Sequence, residues 1–233
     1  MDSSQVMLIT GTRKGIGKQL AKYYTDKGFR VIGCSRKNIN FELDNYQHYY
    51  LDVSNETAVK KAYYEIKNKY GRLDVLINNA GIGSANHTLL TPLKTVREIM
   101  STNFLGTFLF CREAARLMKK NGFGRIVNIV TVATPLKLEG EAVYASSKAA
   151  VVNLSQILAR ELAEFGITVN AIGPTPIKTD LIRSISKDKI DRLINSIPIK
   201  RYGEIRDVTN VIDFFLKPAS DFVTGQVIYL GGV

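Results

Sequence analysis

A chain of 233 residues, 45% hydrophobic and 23% charged, builds one large domain, and no Pro/Gly/Ser-rich or single-sign run marks a linker, so one domain over 1–233 is expected. The net charge of +11 invites polyphosphates, yet its Lys and Arg are scattered along predicted helices without aromatic-basic interleaving. No nucleic-acid partner is therefore expected, and no run approaches the roughly 20 apolar residues of a membrane helix.

The first residues carry an acid where an export signal needs basic ones, so a cytoplasmic protein is expected. Residues 6–9 read as a short buried strand. The next stretch, TGTRKGIG, sets glycines at 11, 15 and 17 ahead of a helical pattern through Ile16, Leu20, Ala21 and Tyr24. Strand, glycine-rich turn and helix N-terminus make an anion site: amides point outward, the dipole favours negative charge, and glycine lets backbone approach a pyrophosphate. Gly11, Arg13, Lys14, Gly15, Ile16 and Gly17 are thus cofactor-site candidates. The spacing is G-x-x-x-G-x-G instead of the usual G-x-G-x-x-G, so a glycine turn without a ligand stays open.

Residues 29–34 form a second predicted strand. A dinucleotide fold there holds an acid on an unmodified ribose hydroxyl, whereas this chain has Ser35 and Arg36. A guanidinium suits a 2′-phosphate and hence NADP, with Lys14 as a second cation; the alternative is that Arg36 begins a solvated loop. No helix is expected over 37–48. A third strand over 49–53 carries Asp52 at its end, Ser54 is a candidate cap for a helix over 58–70, and a fourth strand over 73–78 runs into NNAG. Residues 93–120 hold one interrupted helix or two, with Asn103 either a satisfied core amide or part of a site.

Further strands are expected at 124–130, 167–172 and 226–230, with helices over 204–216 and, as a mobile excursion, 181–195. Strand and helix alternate, so the expected fold is α/β: a Rossmann-type doubly wound parallel sheet of about seven strands with helices on both faces. Ligands then belong at the strand carboxyl ends. A helix over 141–163 would stack Tyr144 and Lys148 one turn apart on one face. An ammonium there, with a cationic cofactor ring, favours phenolate over phenol and suits proton transfer to a substrate oxygen. Cys34 and Cys111 read as buried small hydrophobes. His48 and His87 lack metal-ligand spacing, so no metal is expected; both read as loop or surface residues, with His87 a candidate edge of the substrate mouth.

The series TGTRKGIG (10–17), LDV (51–53), NNAG (78–81), Asn103, YASSK (144–148) and VNAIGPTPIKTD (169–180) resembles the short-chain dehydrogenase/reductases over nearly the whole chain. It is most similar to the NADP-dependent branch typified by 3-oxoacyl-ACP reductases, whose GITVN and TGQVI are echoed at 166–170 and 224–228. The resemblance implies an NADP(H)-dependent oxidoreductase that reduces a ketone or 3-oxoacyl carbonyl to a secondary alcohol. Tyr144 would donate the proton, Lys148 hold the nicotinamide ribose and lower the tyrosine pKa, and Asn103 support a water relay. Asp52 and Val53 would meet the adenine, Asn79, Ala80 and Gly81 the cofactor's middle, and Pro174, Ile177 and Thr179 the nicotinamide end.

Two positions depart from the family: Thr131 stands for its substrate-orienting serine, and Thr175 for a glycine. The arginines such reductases present to an acidic acyl carrier correspond to Gly122 and Phe165, with Lys119, Lys120 and Arg125 as substitutes nearby. The expected partners are a small carbonyl or alcohol substrate, a thioester-borne one included, and further copies of the chain. A homodimer or homotetramer on the helices around 101–120 and 142–165 is implied, where Phe104, Phe108 and Leu158 serve either an interface or the core. The competing class is a dinucleotide-binding regulator without turnover, which would need none of Tyr144, Lys148 and Asn103.

Overall fold

The computed structural model describes residues 5–180, 182 and 186–233. The N-terminal tetrapeptide and part of the expected excursion over 181–195 lie outside the described residues. Seven strands, β1 (Val6–Thr10), β2 (Arg30–Ser35), β3 (Tyr46–Tyr50), β4 (Val75–Asn78), β5 (Gly124–Ile129), β6 (Ile167–Gly173) and β7 (Val227–Tyr229), form one sheet. Their order is 3-2-1-4-5-6-7, and every neighbouring pair is parallel. The chain moves outward from β1 to β3, then returns to β4 on the other side of β1. That reversal makes a crevice above the carboxyl ends of β1 and β4.

The helices are α1 (Gly15–Asp26), α2 (Glu56–Tyr70), α3 (Leu93–Met100), α4 (Gly106–Met118), α5 (Ala133–Leu136), α6 (Ala142–Leu162), α7 (Lys187–Ser196) and α8 (Ile205–Leu216). Side chains along a strand alternate between faces, and this alternation splits the core in two. Leu8, Ile32, Leu76, Ile126 and Val169 pack with Val59 and Ile66 of α2, Phe110 of α4 and Leu158 of α6. Met7, Ile9, Val31, Ile77 and Val127 pack with Leu20 and Tyr24 of α1 and Ile212 and Phe215 of α8. Both faces of the central strands β1, β4, β5 and β6 are covered, which is why their sequences are largely apolar. Among the described residues no helix is long and apolar enough to cross a membrane.

Two expectations move. The third strand begins at Tyr46 and ends at Tyr50, which leaves Asp52 in the following turn. It is an edge strand of polar and aromatic residues, YQHYY, half-buried except for the exposed Tyr50, so no apolar run announces it. The cap of α2 is Asn55, whose Oδ1 accepts from the Ala58 amide at 3.0 Å. Ser54 is instead held by Asp52, to which its amide and hydroxyl donate at 2.9 and 2.7 Å. Cys34 and Cys111 are free and buried, and burial pushes each thiol up to about 12, so both are unreactive at neutral pH.

Between α3 and α4 the chain neither breaks nor continues regularly: Ser101–Leu105 forms a π-helical turn. Such widened turns cluster at functional sites because they redirect one side chain without ending the helix. Here the redirected residue is Asn103.

Candidate active site

A cleft of about 1190 Å³ lies over the crevice. One end is built by the turn after β1. Gly11 takes φ +74° and Gly15 φ +61°, conformations that a side chain would strain. A Cβ on Gly17 would strike the Gly11 carbonyl oxygen and the Asn79 amide, so only glycine lets α1 start this close to β1. Asn79 pins the turn: its Nδ2 donates to the Thr10 carbonyl at 2.8 Å, while its own backbone amide and that of Ala80 donate to Thr10 Oγ1 at 3.0 and 2.9 Å. The α1 amides are left facing the cleft, with their dipole, for an anion.

Ser35 ends β2 and Arg36 follows it, with the guanidinium largely exposed and 4.0 Å from Asp52. Lys14 is not a free second cation. Its ammonium pairs with Asp180 at 2.9 Å, across the cleft mouth. An exposed pair of this kind is worth at most about 1 kcal/mol, so a phosphate can take the ammonium over.

At the other end stand Thr131, Tyr144 and Lys148. Thr131 follows β5, and Tyr144 and Lys148 sit one turn apart near the start of α6. Lys148 is buried and its Nζ donates to the Ile129 carbonyl at 2.7 Å. Desolvation lowers its pKa to about 8. Tyr144 moves opposite to the expected direction in the absence of cofactor. Burial pushes it up to about 12, against a lowering hydrogen bond from Thr131, and the charge of Glu141 raises it further. The lysine alone therefore does not acidify the phenol, because it is turned to a backbone carbonyl.

The buried ammonium has a consequence for stability. A lysine whose pKa falls on folding binds its proton less readily in the native state, so its penalty is full below pH 8 and fades as pH rises toward 10.5. Raising the pH from about 7 to about 10 is expected to stabilise the wild type relative to Lys148→Met by about 2 kcal/mol in urea unfolding. A pH-independent difference would show that the ammonium is well solvated.

Of the catalytic and cofactor-site residues nominated from sequence, all line this cleft except Gly17 and Asn103. Gly17 lies beneath the turn it permits. Asn103 is fully buried, and its amide is entirely engaged: Nδ2 donates to the Ile82 carbonyl and to Ser147 Oγ, and Oδ1 accepts from the Ile82 amide, all at 2.9 Å. Ser147 in turn donates to the Tyr144 carbonyl at 2.7 Å. The Asn103 side chain thus ties the π turn to the segment after β4 and to α6, behind the cleft lining.

Other expectations are corrected. His87 is exposed and caps the turn Thr88–Leu90, and it is not among the residues lining the cleft. His48 is half-buried inside β3. Arg125 cannot serve an acyl carrier as a surface cation: it is buried, with its guanidinium 4.4 Å from the Phe123 ring centre. Lys119 lies over the Phe165 ring at 3.9 Å and remains exposed with Lys120. Thr175 is accommodated by two glycines, since a Cβ on Gly203 would meet its hydroxyl at 2.8 Å and one on Gly231 its methyl at 2.7 Å.

Among the lining residues not nominated from sequence is a carboxylate beside the reacting end, Glu141, which precedes Tyr144 by three residues, hence about one turn, a spacing that could have flagged it. Burial raises its carboxyl to about 7, with Lys189 pulling the other way. Ile82, Leu138, Ile190 and Leu193 give the same end an apolar wall.

A switch-point cleft with a glycine-lined anion site at one end and, at the other, a half-buried tyrosine one turn from a buried lysine defines a dinucleotide-dependent oxidoreductase. Within that class the chain belongs to the short-chain dehydrogenase/reductase family: the family model described as enoyl-(acyl carrier protein) reductase matches residues 11–232. The 3-oxoacyl-(acyl-carrier-protein) reductase FabG of Vibrio cholerae is 30% identical over 98% of this chain and 96% of its own. The structure of ElxO with NADP bound is 33% identical, covers 97% of both chains and superposes with a TM-score of 0.89. A variant of actinorhodin polyketide ketoreductase with NADPH, 27% identical, covers 100% of this chain and 97% of its own at a TM-score of 0.89.

Proposed function

We propose that this chain is an NADP(H)-dependent carbonyl reductase whose proton donor is Tyr144. The observation that carries the reading is the pairing of two ends of one cleft: Ser35 and Arg36 where a carboxylate would repel a 2′-phosphate, and Thr131, Tyr144 and Lys148 where a carbonyl would sit. Relatives that bind NADP or NADPH, or are named reductases, support it.

The glycine crowding around Gly11 and Gly17 fits a pyrophosphate, with Arg13, Lys14, Gly15 and Ile16 completing that wall. Asp52 and Val53 line the adenine end and Asn79, Ala80 and Gly81 the middle. Pro174, Ile177 and Thr179 line the nicotinamide end. Bound NADPH supplies the hydride. The chain supplies placement and the proton: Thr131 and Tyr144 offer hydroxyls to one carbonyl oxygen, and Tyr144 gives its proton to the nascent alkoxide. Lys148 contributes a positive charge to that end. Asn103 acts through Ser147 and α6, as a positioning residue.

The apolar wall suits an acyl chain, and the similarity to acyl-carrier-protein reductases favours a thioester-borne 3-oxoacyl substrate. A homodimer or homotetramer on α4 and α6 is proposed as well: Leu158 belongs to the core, whereas Leu105 beside α4 and Ile157 on α6 are 41% and 45% exposed. The test is NADPH oxidation against an acetoacetyl thioester, a diketone and a sugar ketone. The thioester is expected to be turned over with the highest kcat/KM; a preference for the sugar would sink the thioester assignment and leave the reductase reading standing.

A further inference from the structure

From Ser35 in the cleft lining, a continuous hydrogen-bonded chain runs back through three side chains outside it, His48, Tyr46 and Thr12. Thr12 Oγ1 lies 2.7 Å from the Tyr46 hydroxyl, Tyr46 lies 2.7 Å from His48 Nδ1, and His48 Nε2 lies 2.9 Å from Ser35 Oγ. Ser35 Oγ closes the series by donating to the Lys37 carbonyl at 2.6 Å.

Donor counting fixes the direction. A carbonyl only accepts, so Ser35's single hydrogen goes to Lys37 and Ser35 must accept from His48. The ring nitrogen facing Ser35 therefore carries hydrogen, and in a neutral ring Nδ1 accepts from Tyr46, which accepts from Thr12. If the ring gains a proton, Nδ1 becomes a donor; Tyr46 turns to accept from it and donates to Thr12. Both hydroxyls can reverse and keep the Thr12–Tyr46–His48 bonds, so Nδ1 of His48 has a partner in either protonation state. Gly33 keeps the place open, since a Cβ there would overlap the Tyr46 and Thr12 hydroxyls.

We propose that His48 is the positioning residue that sets the preference for a 2′-phosphorylated cofactor, orienting Ser35 toward the phosphate and taking up a proton as the dianion binds. This rests on the reading of Ser35 and Arg36 as the phosphate site. An acceptor-only phosphate draws the Ser35 hydrogen away from Lys37, and the bond from His48 keeps Oγ in place while it turns. An imidazolium behind Ser35 then adds charge that an unphosphorylated ribose would not reward. Burial depresses the His48 pKa in the absence of ligand, so the proton arrives mainly with the phosphate. Tyr46 is the titratable group in contact with the ring, Arg36 and Lys37 follow Ser35 in the chain, and Lys18 of α1 has its ammonium 4.7 Å from the ring centre of Phe41, which packs on Tyr46.

The test measures dissociation constants of NADPH and NADH for the full chain between about pH 6 and pH 8.5. His48→Gln keeps a neutral donor and cannot be charged; comparison with it cancels titration of the free phosphate itself. Wild type is expected to bind NADPH about fivefold more tightly than His48→Gln at the acid end and within about twofold at the alkaline end, with NADH alike for both. His48→Phe is expected to lose about tenfold in NADPH affinity throughout and to leave NADH within about twofold. Identical pH profiles for wild type and His48→Gln, or equal losses for both cofactors in His48→Phe, would overturn the proposal. Arg36→Ala separates the two layers. If it collapses the NADPH preference while the His48 variants do not, this inference fails alone; if it leaves the preference intact, the phosphate site lies elsewhere and both fail.

Discussion

Replacing Tyr144 with Phe is expected to lower kcat/KM for carbonyl reduction by about 10³-fold and leave NADPH affinity within about twofold. The ring fills the same space, so only the hydroxyl's work is removed. That hydroxyl carries its proton throughout: pushed up to about 12 without cofactor, it is a phenol at every pH near neutrality. Reduction needs the protonated form and fails as pH rises through the pKa of the complex, whereas alcohol oxidation needs the phenolate and gains over the same range. The fall toward neutrality that oxidation requires must come from the bound nicotinamide and from Lys148 released from the Ile129 carbonyl. Retention of a tenth or more of wild-type activity by Tyr144→Phe would remove Tyr144 from the chemistry.

Asn103→Ala is expected to cost roughly 3 kcal/mol in urea unfolding, the largest stability loss among the site residues. The substitution strands the Ile82 amide, the Ile82 carbonyl and part of the Ser147 hydroxyl's bonding in a place sealed from water. Activity should fall by about 10²-fold as well, because Ser147 and the Tyr144 carbonyl share the same connection. Asn103→Asp distinguishes the roles: it preserves the acceptor for the Ile82 amide but faces the Ile82 carbonyl with an oxygen, so it should be no more stable than Ala. An alanine variant within about 0.5 kcal/mol of wild type would mean that the amide network is not strained by its loss.

Much of this site is legible in the sequence because its parts are local. The turn after β1 needs glycine at 11 and 15 for backbone reasons and at 17 for clearance, and those demands appear within one short stretch. Tyr144 and Lys148 share a helix face by spacing alone. Buried parallel strands such as GRIVNI announce themselves by unbroken apolarity.

What escaped depends on register or on distant partners. The π turn has no hydrophobic period of its own, so Asn103 could be seen only as a polar residue in an apolar helix. His48 reads as an ordinary surface histidine until pairing of Gly33 with His48 and of Ser35 with Tyr50 sets β3 beside β2. Lys14 looks like a free cation until Asp180 is brought to it from the far end of the chain. Arg125 looks like a docking cation until its strand is buried.

The central claim is that hydride passes from NADPH to a carbonyl held beside Tyr144. It is tested most directly with NADPH deuterated on one face of the nicotinamide C4, an acetoacetyl thioester, and mass spectrometry of the alcohol. One of the two labelled faces is expected to deliver a single deuterium to the new carbinol carbon, with Tyr144→Phe yielding almost no product. Tight NADPH binding with no labelled alcohol from any carbonyl offered would contradict the account and favour a cofactor-bound regulator.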